Sequence, residues 1–264
     1  SSAVSGALLK LIDADGRAVD QGRSLGNGLV DNLEFTAYTI DQVNGKTLNN
    51  LAGMRVASVF KWDATDFRYA LQTVTLSDSP GNADTVVLSN SINAHVCYRS
   101  NSNNGLQQCT GVGYGGTNTH SSGLVQYDAY YGMSGEQNNK AILMDNSWNY
   151  MSGSTPTYFN NSVIFTTGYN SDNLASIRPQ SPGRQLISLD NTVVIGMGDE
   201  GRTNPGGFYL GYYGTSCYGS FNVNNTELIG VASVASGKCY SGTPTDFTIT
   251  NSTLSHYIPP EKTS

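Results

Sequence analysis

The chain has 264 residues, with fourteen Lys plus Arg against twenty Asp plus Glu and a formal charge of −6. Only 13% of its residues are charged, against roughly 25% in ordinary soluble domains, so Asn, Ser, Thr, Gly and Tyr must carry solubility. The acidic balance and the lack of a Lys/Arg cluster argue against nucleic acid and anionic membranes as partners. No apolar run approaches the roughly 20 residues a spanning helix needs, so membrane insertion is not expected.

Composition favours strands: Thr and Tyr suit pleated surfaces, Gly and Asn suit turns, and only five Glu are available for helices. Ser1–Gly6 reads as a mature N-terminus left after processing. Ala7–Asp20 holds an apolar run followed by Asp15-Gly16, a hairpin signal, although Leu8, Leu9, Leu11 and Ile12 also fit one helical face. Strand patterns follow at Leu33–Ile40, Met54–Trp62, Tyr69–Leu76, Thr85–Ser89 and Ala94–Arg99. A Gly-rich stretch at 111–123 marks a surface loop or a seam. Further strand patterns lie at Leu124–Tyr131, Lys140–Met144, Ser162–Thr167, Gln185–Leu189 and Thr192–Met197. The series closes with Phe208–Tyr213, Ser220–Val223, Glu227–Val234 and Phe247–Thr250. Many short strands without intervening helical periods indicate an all-β protein. With no fixed repeat period to favour a regular solenoid, the expected fold is one large β-sandwich or jelly-roll-like domain spanning 1–264.

Cys97, Cys109, Cys217 and Cys239 include no Cys-x-x-Cys pair and no His at ligand spacing, which argues against zinc. Two local disulfides, Cys97–Cys109 and Cys217–Cys239, are the favoured of three pairings, and they place the chain in an extracellular or cell-surface compartment.

The strongest candidate site is the aromatic-rich centre. Tyr127, Asp128, Tyr130, Asp145, Asn146, Trp148, Asn149 and Tyr150 combine flat apolar faces with directional oxygen and amide groups, the materials that recognise sugars. A weaker aromatic group, Phe208, Tyr209, Tyr212, Tyr213 and Tyr218, flanks Cys217. The same aromatics can instead fill a β core. Asp13, Asp15 and Asp20 resemble part of a calcium loop but lack the bidentate Glu of an EF-hand; a hairpin turn explains them as well, and no cofactor is expected.

Glycan hydrolysis would need a carboxyl pair, for which Glu34, Asp128, Asp145, Glu136 and Glu200 are candidates without a recognisable pattern. His95, His120 and His256 stand in no nucleophile motif. Gly111–Gly116 is not followed by the helix that a dinucleotide loop requires. Three Asn-x-Ser/Thr sequons, at Asn160, Asn224 and Asn251, are expected by chance in this composition.

Two short resemblances occur. The Cys217–Cys239 loop in a Thr/Gly/Asn-rich segment resembles type IV pilin ectodomains, without the apolar assembly helix of that family. Leu189–Gly196 with Gly207–Gly211 is similar to strands of laminin-G-like sandwiches. Neither transfers a functional residue. The expected function is a non-catalytic, adhesin-like protein that binds carbohydrate or another surface polymer. The alternatives are a structural subunit of a pilus, capsid or filament, with Ala7–Ile12 as a donor strand to like subunits, and an extracellular glycan hydrolase.

Overall fold

A computed structural model describes residues 2–30, 33, 38–41, 43, 45–48, 52–62, 66–76, 84–97, 135–145, 148–152, 156–166, 175–180, 186–197, 208–214, 220–230, 233–239 and 246–255. Its described part is built of strands. Turn chemistry acts first at the N-terminus, where Leu8–Ile12 (β1) and Ala18–Arg23 (β2) form an antiparallel hairpin. Asp13 closes it: its carboxylate accepts the Arg17 amide at 2.7 Å and its carbonyl accepts the Gly16 amide at 3.0 Å. Gly16 has φ +83°, a conformation that favours glycine. The hairpin expectation holds, and the helical alternative does not.

Tyr38–Asp41 (β3) and Gly45–Leu48 (β4) make a second hairpin. Met54–Lys61 (β5), Phe67–Val74 (β6) and Asn90–Ser91 (β7) complete an antiparallel sheet in the order β2-β1-β5-β6-β7. β1, the candidate donor strand, thus lies between β2 and β5 of its own sheet.

The chain then changes its pairing. Its next strands are Ala94–Cys97 (β8), Gly135–Glu136 (β9), Ala141–Asp145 (β10), Trp148–Ser152 (β11) and Thr157–Asn160 (β12). Val163–Thr166 (β13), Ala175–Gln180 (β14), Leu186–Asp190 (β15), Val193–Gly196 (β16) and Phe208–Gly214 (β17) follow. Ser220–Asn224 (β18), Glu227–Ile229 (β19), Ser233–Cys239 (β20), Asp246–Thr250 (β21) and Thr253–Ser255 (β22) end the series. From β9 onward each strand pairs in parallel with the strand three places on, giving sheets β9-β12-β15-β18-β21, β8-β10-β13-β16-β19-β22 and β11-β14-β17-β20. The chain visits these sheets in a fixed order, so it winds as a three-sheet parallel coil.

This arrangement replaces the expected sandwich or jelly roll, whose sheets are antiparallel. The repeat escapes a search for a fixed period because its length varies. Ile142, Ile164, Val194, Leu228 and Leu254 occupy one register line, at steps of 22, 30, 34 and 26 residues.

A corner between two of the sheets is the constant part of each turn. Asn139, Asn161, Asn191, Asn225 and Asn251 all have positive φ, between 45° and 55°. Asparagine tolerates this left-handed conformation better than other residues with a side chain. The next position carries a hydroxyl in four turns: Ser162, Thr192, Thr226 and Ser252. Ser162 Oγ lies 2.8 Å from the Gln137 carbonyl of the previous turn, and Thr192 Oγ1 donates to the Phe159 carbonyl at 2.6 Å. Side-chain amides run along the stack as well: Asn191 Nδ2 donates to Asn161 Oδ1 (2.7 Å) and Asn224 Nδ2 to Asp190 Oδ1 (2.8 Å). The sequons at Asn160, Asn224 and Asn251 are therefore pieces of the repeating corner.

Inside the coil Phe159, Leu189 and Val223 stack on one line and Ile142, Ile164 and Val194 on another, all 0% exposed. Ala141, Leu143, Phe165, Ile195 and Ile229 cover the outer face of the second sheet, where they share a core with Leu8, Ile12, Ala57, Val59 and Phe67 of the antiparallel sheet. Both faces of that coil sheet are thus buried, which is why its strands read as unbroken apolar runs rather than as alternation.

Thr192→Val tests the corner. Losing the hydroxyl while leaving the Phe159 carbonyl buried should cost about 1–3 kcal/mol, read as a lower urea midpoint at unchanged m-value. An unchanged midpoint would show that the corner bonds do not hold the turns together.

Candidate functional site

The residues expected to bind sugar fall into two groups. Tyr127, Asp128, Tyr130 and Asn146 lie outside the described residues, as do the hydrolase candidates Glu34 and Glu200, the histidines His120 and His256, Cys109, Cys217 and the 111–123 seam. Asp145 ends β10, opposite Cys97 of β8; His95 is in β8 and Glu136 in β9. Trp148, Asn149 and Tyr150 form β11, the edge strand of the β11-β14-β17-β20 sheet.

That sheet joins the two aromatic groups, which the sequence separates by some sixty residues. Trp148 pairs with Ser176 and Ser176 with Tyr209; Tyr150 pairs with Arg178; Tyr213 pairs with Lys238. Successive strands are about 4.8 Å apart, so β11 and β17 lie roughly 10 Å from each other. Because strand positions alternate between faces, one set comprises Trp148, Tyr150, Ser152, Ser176, Arg178, Gln180, Tyr209, Gly211, Tyr213 and, past a register shift that falls between Ser233 and Ser236 of β20, Ser236 and Lys238. The other set includes Asn149, Met151, Ile177, Pro179, Phe208 and Leu210. Trp148, Tyr150, Tyr209 and Tyr213 thus share one face with Arg178 and Lys238, while Phe208 and Tyr212 fall with most of the apolar residues on the opposite one. Asn149 is on the latter face, apart from Trp148 and Tyr150. The aromatic density at β11 was legible in the sequence; its union with β17 depends on the parallel register and had no local signal.

A second concentration of polar groups lies where the antiparallel sheet meets the coil. Arg55 makes a bidentate pair with Glu227 of β19, at 2.7 and 2.9 Å. On the same face of the antiparallel sheet as Arg55, Lys10 of β1 is fully buried. A Cβ built on Gly230 would come within 2.7 Å of its Nζ, so the glycine makes room for the ammonium. Burial lowers the Lys10 pKa to about 7, opposed by the nearby charge of Asp20.

At the β1–β2 turn Arg17 lies 4.0 Å from the Asp13 carboxylate and 3.4 Å from that of Asp15, while Asp20 Oδ1 accepts the Gln21 amide at 2.8 Å. Among the described residues no three His, Cys, Asp or Glu side chains converge as a metal site.

No family model, curated protein or solved structure matches this chain. The segments that resemble laminin-G-like strands belong to parallel ladders of the coil.

Lys10 makes the junction sensitive to pH. Its folded pKa is lowered to about 7 from the ordinary 10.5, so between these values the unfolded chain binds more protons, and stability rises with pH across that window. Lys10→Met should remove this rise and stabilise the protein below pH 7, as read from unfolding midpoints of the two proteins across the window. Parallel pH profiles would contradict this account of Lys10.

Proposed function

We propose that the protein is a secreted or cell-surface, non-catalytic, adhesin-like protein that holds a carbohydrate polymer against the β11-β14-β17-β20 sheet. One observation carries the reading: the shared face containing Trp148, Tyr150, Tyr209 and Tyr213, interleaved with Ser152, Ser176, Gln180 and Ser236. Rings supply flat apolar area for the C–H faces of sugars, and hydroxyl and amide groups serve their hydroxyls. A regular row repeating at about 4.8 Å suits a linear polymer better than a single small molecule. Asp145 at the adjacent corner, and Tyr127, Asp128, Tyr130 and Asn146, would extend the site at its β11 end.

The extracellular setting rests on the two disulfides proposed from the sequence. Cys239 pairs in register with Gly214, three residues before Cys217, which supports the Cys217–Cys239 bridge.

A second reading, a structural subunit stacking on like subunits, is favoured by Ile249. It continues the interior line of Val223, yet it is 40% exposed where Val223 is 0%. Light scattering that gives a monomer at high concentration would remove this reading.

A glycan array of neutral and acidic polysaccharides tests the first. Wild type should bind at least one class, and Trp148→Ala with Tyr209→Ala should weaken that binding by roughly tenfold or more while leaving the melting temperature unchanged. Unaltered binding in a folded double variant would move the site off this sheet.

A further inference from the structure

The charges of the coil are segregated among its sheets. The strands of the β9-β12-β15-β18-β21 sheet contain Glu136, Asp190 and Asp246 and no Lys or Arg. Those of the β8-β10-β13-β16-β19-β22 sheet contain Asp145 and Glu227, again without Lys or Arg. The β11-β14-β17-β20 sheet is the reverse: it contains Arg178 and Lys238 and no Asp or Glu. In a chain with formal charge −6, these are the only Lys or Arg residues on the described coil strands. Both fall in the alternating set that contains Trp148, Tyr150, Tyr209 and Tyr213, and each has a tyrosine as register partner: Tyr150 beside Arg178, and Tyr213 beside Lys238.

We infer that the polymer held on this sheet is an acidic polysaccharide, one with carboxylate or sulfate groups along its length, and that Arg178 and Lys238 select for it. The inference rests on the carbohydrate-binding reading and deepens it. A planar guanidinium and an ammonium each offer several donors to an anionic oxygen, and such charge-assisted bonds are stronger than neutral ones. β14 and β20 are two strand spacings apart and Lys238 stands two positions further along than the register line of Arg178, so the two positions are roughly 12 Å apart, on the scale of a disaccharide repeat. Two cationic positions on a face that also carries aromatic positions suit a sugar chain with charges along its length. The net acidity of the chain repels a polyphosphate and an acidic polysaccharide alike. That repulsion is screened beyond about 8 Å at physiological ionic strength and so does not oppose a contact made at bonding distance.

The experiment is a titration of the full chain with polygalacturonate, alginate, hyaluronan and chondroitin sulfate. Carboxyl-reduced polygalacturonate, dextran and mannan serve as neutral counterparts, and oligo-dT as a polyphosphate control. The expected result is binding to at least one acidic polymer, roughly tenfold or more weaker for neutral counterparts and weakening with added salt. Arg178→Gln and Lys238→Gln should each reduce the preference roughly tenfold, with unchanged melting temperatures and residual neutral-sugar binding. Equal binding of acidic and neutral polymers, or an acidic preference unaffected in the folded double variant, would overturn this inference and leave the carbohydrate-binding reading standing. Binding of oligo-dT in preference to every sugar would overturn both. Binding of no polysaccharide at all would overturn the carbohydrate-binding reading, and this inference with it.

Discussion

Everything in the coil depends on one corner that repeats while the rest of each turn varies. A parallel coil must reverse direction within a few residues and present the next strand in register with the previous turn. Asparagine at positive φ makes the bend, and the following hydroxyl reaches back to a carbonyl of the same or preceding turn. The Asn224 and Thr250 carbonyls also accept the amides of Asn191 and Asn225, so there the hydroxyls add a second bond to a corner already joined through the backbone. Because the corner sets the register, the steps between turns can range from 22 to 34 residues without disturbing alignment; the extra chain is absorbed at the other corners. A coil held in this way tolerates long insertions on its remaining sides, where loop length costs little.

The second constraint is burial on two faces. The sheet through β10, β13, β16 and β19 contacts the coil interior on one side and the antiparallel sheet on the other. Apolar surface therefore continues from Ile12 and Val59 through Leu143, Phe165 and Ile195. A second cluster, with Leu9, Leu11, Met54 and Val56, packs the far side of the antiparallel sheet. Polar groups within this junction are placed individually. Glu227 meets Arg55 at a partly buried rim, whereas Lys10 lies wholly inside, over a glycine. A buried amine is costly when charged, which makes Lys10 the residue from which a pH response of the junction is expected.

Strand positions were largely legible from the residues. Met54–Trp62, Ala94–Arg99, Lys140–Met144, Ser162–Thr167, Gln185–Leu189, Thr192–Met197 and Phe208–Tyr213 each overlap an observed strand. Glu227–Val234 overlaps two, because Gly230 at φ +62° divides it. Pairing direction was not legible: a strand's residues report what it is buried against, not which way its neighbour runs. The repeat was hidden for a related reason, since its conserved chemistry is only three residues wide. Asn160-Asn161-Ser162, Asp190-Asn191-Thr192 and Asn224-Asn225-Thr226 look like loop composition, or like sequons, until their shared positive φ is seen. At the proposed site, Trp148 and Tyr150 were visible as an aromatic cluster, whereas Tyr209, Tyr213, Arg178 and Lys238 join it only through register across three turns.

The coil thus turns an irregular sequence into a regular row of side chains, and the proposed function is a use of that regularity. Among the described coil strands four rings share one face of one sheet and the acids lie on the other two, and the partner we propose is a linear polymer with a repeat of its own. Hydroxyl-radical footprinting of the full chain with a bound polysaccharide would test this most directly. Protection centred on Trp148, Tyr150, Tyr209 and Tyr213, with Tyr158 on the neighbouring sheet unprotected, is the result this account predicts. Protection of Tyr158 with these four left reactive would contradict it.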